Sequence, residues 1–249
     1  MLRLLGAGGL LALCALLGGC GSGTTSSHPH ARVARTAPRA GAGTSPTRAQ
    51  AAAFAHAVNL TARDVPGFTA SLRHEGETEQ EKRLQRSLRR CAGPLRFGVG
   101  RAQEPSASFE LKRDVLDLGV NSEVAVARTP ALAASELHTI RGGRVKECFS
   151  RYLDMLLKGR RYRGARPGPV SIASGTPPAP GAQGSFGWRI TATFSAGPIR
   201  LPLYVDILGF VLGPARVTLV SSGALRPFPA VLQQRLYTLL LARASAHRL

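Results

Sequence analysis

Residues 184–223 have the sequence GSFGWRITATFSAGPIRLPLYVDILGFVLGPARVTLVSSG, which contains the strongest strand pattern of the chain. It contains three runs of alternating side chains, GSFGWRITATFS, IRLPLYVDILGFVL and RVTLVSSG, which are separated by the turn sequences AGP and LGPA. Alternation with a period of two is typical of β-strands, and tight turns join strands that run antiparallel. The stretch therefore predicts a three-stranded antiparallel meander.

Helices are predicted before and after this meander. Apolar residues recur with helical spacing, between capping and stop signals, in five segments: residues 49–60, 77–92, 131–141, 144–159 and the residues from about Pro229 onward. Residues 107–128 alternate and predict two further strands or a hairpin. Strands and helices do not alternate singly, which argues against a doubly wound parallel sheet. The sequence predicts one α+β domain, with helices packed on an antiparallel sheet.

The first twenty residues, MLRLLGAGGLLALCALLGGC, have the pattern of an export signal. The apolar run from Leu4 to Gly19 follows the single charge of Arg3 and is too short to cross about 30 Å of hydrocarbon comfortably. Its end, Leu17-Gly18-Gly19-Cys20, resembles the lipobox of bacterial lipoproteins, in which the cysteine thiol receives a diacylglycerol and cleavage occurs just before it. The alternative is a cysteine that happens to follow an ordinary signal peptide.

The lipobox resemblance implies three segments. Residues 1–19 would be the signal peptide, with Cys14 lost in it, and Cys20 would carry acyl chains such as palmitate on the extracytoplasmic face of the cell membrane. Residues 20–45 are rich in Gly, Ser, Thr, Pro and Ala, without hydrophobic periodicity, and predict a flexible tether. Residues 46–249 would form the α+β domain.

The two other cysteines, Cys91 and Cys148, are predicted to form a disulfide. Each lies on the apolar stripe of its own predicted helix, and an exported protein meets an oxidising environment. The bond would close a loop of 56 intervening residues. Two buried free thiols are the alternative. No histidine lies at ligand spacing to either cysteine, so no metal site is predicted.

The charge of the chain is strongly basic, with 33 Lys and Arg against 14 Asp and Glu in 249 residues. Such a charge often indicates nucleic-acid binding, but export argues against that partner. The densest basic run surrounds Tyr162 and predicts a patch for anionic lipid or an acidic wall polymer; its members are Lys158, Arg160, Arg161, Arg163 and Arg166. The alternatives are a solvated loop and an arginine excess that reflects a GC-rich genome.

No catalytic residue or cofactor is predicted, because the sequence lacks the G-x-S-x-G, S-x-x-K, H-E-x-x-H and P-loop motifs. Asp206 interrupts a very apolar strand, so it must face solvent, pair with a cation or line a cavity. Tyr204 shares its face of the strand, and Trp188 is the only tryptophan of the chain. Trp188, Tyr204 and Asp206 are therefore candidate cleft residues, with a core aromatic as the alternative for Trp188.

The lipobox, Cys91 in RRCAGP, Cys148 in VKECF and the meander with its final helix together resemble actinobacterial surface lipoproteins. They resemble, more loosely, the extracellular sensor domains of mycobacterial serine/threonine kinases and the PsbP-like lipoprotein fold. Those families have α+β domains, often braced by disulfides, with a cleft suspected of ligand binding. The resemblance implies a membrane-anchored, non-enzymatic module that binds a small molecule, a lipid or a partner protein. An envelope hydrolase with an unfamiliar site and a structural wall-associated protein are the alternatives.

Overall fold

The computed structural model describes residues 45–71, 79–92, 100–113, 116–159, 166–247 and 249. The predicted signal peptide, Cys20 and almost all of the predicted tether lie outside the described residues, as do Arg160, Arg161 and Arg163 of the basic run.

The described residues form one antiparallel sheet of eight strands, in the order β1-β3-β4-β8-β7-β6-β5, with β2 paired to β4. The strands are β1 (Thr69–Ser71), β2 (Ala102–Pro105), β3 (Ser108–Arg113), β4 (Leu116–Val126), β5 (Arg166–Gly175), β6 (Gly184–Ala196), β7 (Ile199–Leu212) and β8 (Ala215–Ala224). The predicted meander is β6-β7-β8, and the predicted hairpin is β3-β4. The predicted α+β class is therefore confirmed.

Five helices of the described part surround this sheet. They are α1 (Arg48–Val58), α2 (Glu79–Ala92), α3 (Pro130–Arg141), α4 (Gly143–Gly159) and α5 (Ala230–Ala246), and a short 3₁₀ helix spans Ala62–Asp64. Four of the five are packed directly on the sheet, and the fifth, α2, is packed on α4. The capping residues explain where two of the helices begin. Thr47 forms a capping box with Gln50 at the start of α1, and the Thr129 side chain accepts from the Leu132 amide at the start of α3.

Two-residue turns set the register of the meander. Gly197 and Pro198 connect Ala196 to Ile199, which pair with each other, and the β7–β8 turn has the same Gly-Pro sequence. The first turn residue has a positive φ, 59° at Gly197 and 57° at Gly213, which glycine adopts at no steric cost. A glycine at this position is what a type II′ hairpin requires.

Helices lie on both faces of the sheet and produce two hydrophobic clusters. On one face, α3 packs on β6, β7 and β8, and α4 packs on β5 and contacts Trp188 of β6, with α2 beside α4; buried members include Ile140, Phe149, Tyr152, Trp188 and Ile207. On the other face, α1 and α5 pack on β4, β7 and β8; buried members include Phe54, Val124, Phe210, Leu219 and Leu240. Strand β7 needs apolar side chains on both faces, which explains its almost continuous hydrophobic sequence.

Candidate functional site

The predicted disulfide is present and joins α2 to α4. The Cys91 and Cys148 Cα atoms lie 5.7 Å apart, within the ordinary range for such a bond. A hydrogen bond from Arg144 Nε to the Cys91 carbonyl oxygen, at 2.9 Å, adds a second link between the helices. Leu88 of α2 is buried in the same cluster as Cys148. The bond therefore fixes α2 to the outside of α4.

Asp206 is buried and fully engaged in holding three elements together. Its two carboxylate oxygens accept from Arg189 Nε at 2.6 Å and Nη2 at 2.9 Å, which is a bidentate pair between β6 and β7. Gln233 of α5 donates from Nε2 to the same carboxylate at 3.0 Å and to Ser221 Oγ at 2.6 Å. The bond to Asp206 raises the pKa of Arg189. Of the roles considered for Asp206, pairing with a cation is the one observed.

The three candidate cleft residues do not line one cleft. Arg189 pairs with Asp206, and Trp188 pairs with Ile207, so Trp188 and Asp206 point to opposite faces of the sheet. Trp188 is buried in the cluster below α4, with its ring centroid 5.3 Å from that of Phe149. Tyr204 lies half-buried on the face of Asp206. The alternation of β6 alone could not show this, because the relation depends on its register with β7.

A buried charged cluster on the α3 side was missed in the sequence. Arg216 of β8 is 2% exposed, with its Nη2 atom 3.7 Å from Glu123 Oε1 of β4 and its Nη1 atom 3.5 Å from Glu136 Oε2 of α3. Burial raises the pKa of Glu123, although Arg216 and a hydrogen bond with Gln103 act in the opposite direction. Burial also raises the pKa of Glu136, against the charge of Arg216. The sequence feature that could have revealed this cluster is a charged residue in each of two strands that are otherwise mostly apolar, Glu123 in β4 and Arg216 in β8.

A cavity of about 10 Å³ adjoins this cluster and has room for a single water molecule. It is lined chiefly by β2, β4, β8 and α3, including Gln103, Glu136 and Arg216. An open depression lies elsewhere, beside the ion pair between Asp64 and Arg243. The Arg243 guanidinium donates to both Asp64 oxygens at 2.8 Å and to the Asn59 carbonyl at 3.1 Å, so this pair holds the 3₁₀ helix against α5.

The described part of the basic run is split between two elements. Lys158, near the end of α4, donates to Asp154 Oδ2 at 2.7 Å, and Arg166 is exposed at the start of β5. The patch as a binding site stays a prediction. Among residues 45–71, 79–92, 100–113, 116–159, 166–247 and 249, no group of three His, Cys, Asp or Glu side chains could hold a metal ion. The helices within those ranges include none that is both long and apolar enough to span a membrane.

Comparison with known proteins shows a weak structural similarity and no match to a protein family. No protein-family model matches the chain, and no curated protein matches it. Among solved structures, the extracellular domain of PknH from Mycobacterium tuberculosis is similar, with 12% identity over 61% of this chain and 69% of that chain, at a TM-score of 0.32. At these values no conclusion about ligand or activity passes to this chain.

Proposed function

We propose that this chain is an extracytoplasmic binding module that is anchored to the membrane through an acylated Cys20. The observation that carries the proposal is the disulfide between Cys91 and Cys148. Such bonds persist in exported proteins and are rare in the reducing cytosol. The Leu17-Gly18-Gly19-Cys20 sequence supplies a route both to export and to a lipid anchor. Two acyl chains are enough for stable attachment to a bilayer.

The contacts of the buried charged groups favour binding of a partner on the outer surface of the domain over binding of a ligand in an enclosed pocket. The buried charged groups of the described part are engaged with one another: Asp206 with Arg189 and Gln233, and Arg216 with Glu123 and Glu136. The cavity beside Arg216 holds no more than a water molecule. These contacts support the fold, which leaves the outer surface of the domain as the place where a partner would bind.

Metabolic labelling with an alkyne analogue of palmitate tests this proposal. The parent chain should incorporate the label and remain with the membrane after a high-salt wash. Cys20→Ser should lose the label, because the acylated thiol is gone. Cys14→Ser is the matched control, since Cys14 lies inside the same apolar run but would be removed with the signal. Equal labelling of the parent and Cys20→Ser would overturn the proposal, as would a chain without label.

A further inference from the structure

Helix α2 carries a row of cations on the side that faces away from the core. Lys82, Arg86 and Arg90 are exposed and recur every four residues, so they lie along one face of the helix. Arg83 is exposed beside them. Glu79 pairs with Lys82 at 2.8 Å, and within the part of the chain that the structure describes no ion pair engages the three arginines. The row therefore presents an excess of positive charge to solvent.

Helix α4 carries a second row, interrupted by an exposed apolar side chain. Arg144, Arg151 and Lys158 recur every seven residues and are all exposed. Met155 lies in the same row between the last two and is 42% exposed, which is unusual for a large apolar side chain in this fold. Two acids accompany the row: Glu147 is exposed, and Asp154 is paired with Lys158.

The two rows belong to one rigid unit, because the disulfide and the hydrogen bond from Arg144 to the Cys91 carbonyl oxygen join α2 to α4. By sequence, α2 contains five Lys and Arg against two Glu, and α4 contains four against two acids. We call the exposed residues of these two rows the α2–α4 surface, defined by Lys82, Arg83, Arg86, Arg90, Arg144, Arg151, Met155 and Lys158.

We propose that the α2–α4 surface docks on the anionic headgroups of the membrane to which Cys20 is attached. This inference rests on the proposed lipid anchor. The chain from Cys20 to Ser45 can span up to about 80 Å when extended, which is enough to pass around a domain of about 200 residues and about 40 Å across. The anchor therefore allows the α2–α4 surface to reach the membrane, although α1, where the described chain begins, lies on the opposite face of the sheet.

Met155 favours a lipid surface over a soluble acidic polymer. An apolar side chain surrounded by Arg and Lys gains free energy when it enters the boundary between headgroups and acyl chains, and the cations remain among the phosphates. A hydrated polyanion offers no apolar region for Met155. Each Lys or Arg near an anionic leaflet should strengthen docking about fivefold, so the loss of three should weaken it about a hundredfold.

The test uses the acylated full chain with Met155→Trp, reconstituted in vesicles that contain brominated phosphatidylcholine. Vesicles with added phosphatidylglycerol should quench the introduced tryptophan at ~0.1 M salt, and ~1 M salt should abolish quenching because the Debye length falls to about 3 Å. The parent chain, in which Trp188 is buried, gives the background. Quenching should be lost in neutral vesicles.

Charge variants make the test specific. Arg83→Gln, Arg86→Gln and Arg90→Gln combined should abolish quenching. Arg48→Gln, Arg63→Gln and Arg226→Gln remove the same charge from exposed positions outside the α2–α4 surface and should leave quenching in place. As a readout that needs no Met155 substitution, a dicarbonyl reagent should modify Arg83 and Arg86 of the parent chain more slowly on anionic vesicles than on neutral ones.

The possible results of these experiments distinguish a failure of the docking proposal from a failure of the proposed lipid anchor. A chain that does not float with vesicles at ~1 M salt lacks the anchor, and the proposed function then fails with the docking. A chain that floats, but shows neither quenching nor arginine protection on anionic vesicles, overturns the docking alone. If soluble polyglutamate protects these arginines and anionic vesicles do not, the α2–α4 surface belongs to an acidic polymer and the membrane proposal is wrong.

Discussion

Cys91 of α2 is covalently bonded to Cys148 of α4, and their Cα atoms are 5.7 Å apart. Helix α2 packs on the outer side of α4, where this bond, the apolar contacts of Leu84, Leu88 and Ala92, and the Arg144–Cys91 hydrogen bond hold it. The disulfide is the covalent part of the attachment that keeps the cations of α2 fixed relative to those of α4.

Replacement of both cysteines by serine should lower the free energy of unfolding by about 4 kcal/mol, because the bond closes a long loop in the unfolded chain. Chemical denaturation of the parent under oxidising and reducing conditions should give the same difference. Amide exchange should rise most in α2. Equal stability of the oxidised parent and the double variant would show that the bond contributes nothing.

Arg216→Met should destabilise the domain by about 3 kcal/mol at pH 8, because two glutamates are left without their buried cation. The cost should shrink toward pH 5. Burial raises the pKa of Glu123 and Glu136 in the folded state, and loss of Arg216 raises both further. The folded state then binds more protons than the unfolded one above the usual Glu pKa of about 4.3, so its stability grows as pH falls. Urea denaturation at several pH values measures this slope.

Arg243→Met is the matched control for that slope. The arginine hydrogen-bonds to Asp64, whose pKa is lowered, so the contribution of this pair is constant above the usual Asp pKa of about 3.9 and changes only near and below it. Between pH 5 and 8 the cost of Arg243→Met should therefore be constant. A constant cost for Arg216→Met over the same range would contradict the ionic account of the cluster.

Asp64→Asn should make the domain less stable at neutral pH by about 1 kcal/mol and less sensitive to acid. Burial opposes ionisation of Asp64, but the hydrogen bonds from Arg243 and Thr61 outweigh it, so the pKa of Asp64 is lowered. This contribution is present above the usual Asp pKa and is lost as pH falls through the lowered value. Acid unfolding followed by circular dichroism should show a shallower loss in the variant; the same acid profile as the parent would contradict this role.

Gly209→Ala should cost about 1–3 kcal/mol, because the ring of Phe186 on the paired strand occupies the place of a new Cβ atom. Phe186→Leu should recover part of this cost in the double variant, since a smaller side chain makes room. A double-mutant cycle on thermal unfolding gives the coupling between the two positions. Strictly additive effects would show that the ring is not the obstacle.

Local pattern was sufficient for the helices, the meander and the β3–β4 hairpin, and insufficient for β1, β2, β5 and the long-range strand pairing. Alternation and Gly-Pro turns predicted β6, β7 and β8, and apolar periodicity predicted the helices. Strand β5 was not recognised, because its first residue is followed by Pro167, Gly168 and Pro169; an edge strand tolerates these residues, and the register shifts there. The long-range pairing of β4 with β8 has no local signal.

For the candidate site too, local sequence pattern predicted some features, and others depended on long-range packing. The disulfide was predictable because both cysteines lie on apolar stripes. The full set of neighbours of Asp206 and Arg216 was not, because Gln233 reaches Asp206 through the packing of α5 on the sheet, and Glu123 and Glu136 reach Arg216 from elements far away in sequence. The exposed rows of α2 and α4 are visible in the sequence, but only the packing of the two helices brings them together.

Mass spectrometry of the amino-terminal peptide shows whether Cys20 is the acylated first residue of the mature protein. Trypsin digestion of the membrane-bound protein should release a peptide that starts at Cys20 and ends at Arg32, with the mass of a diacylglycerol and an acyl group added to the cysteine. A mature chain that starts at another residue, or a peptide in which Gly19 and an unmodified Cys20 are still joined, would contradict the account.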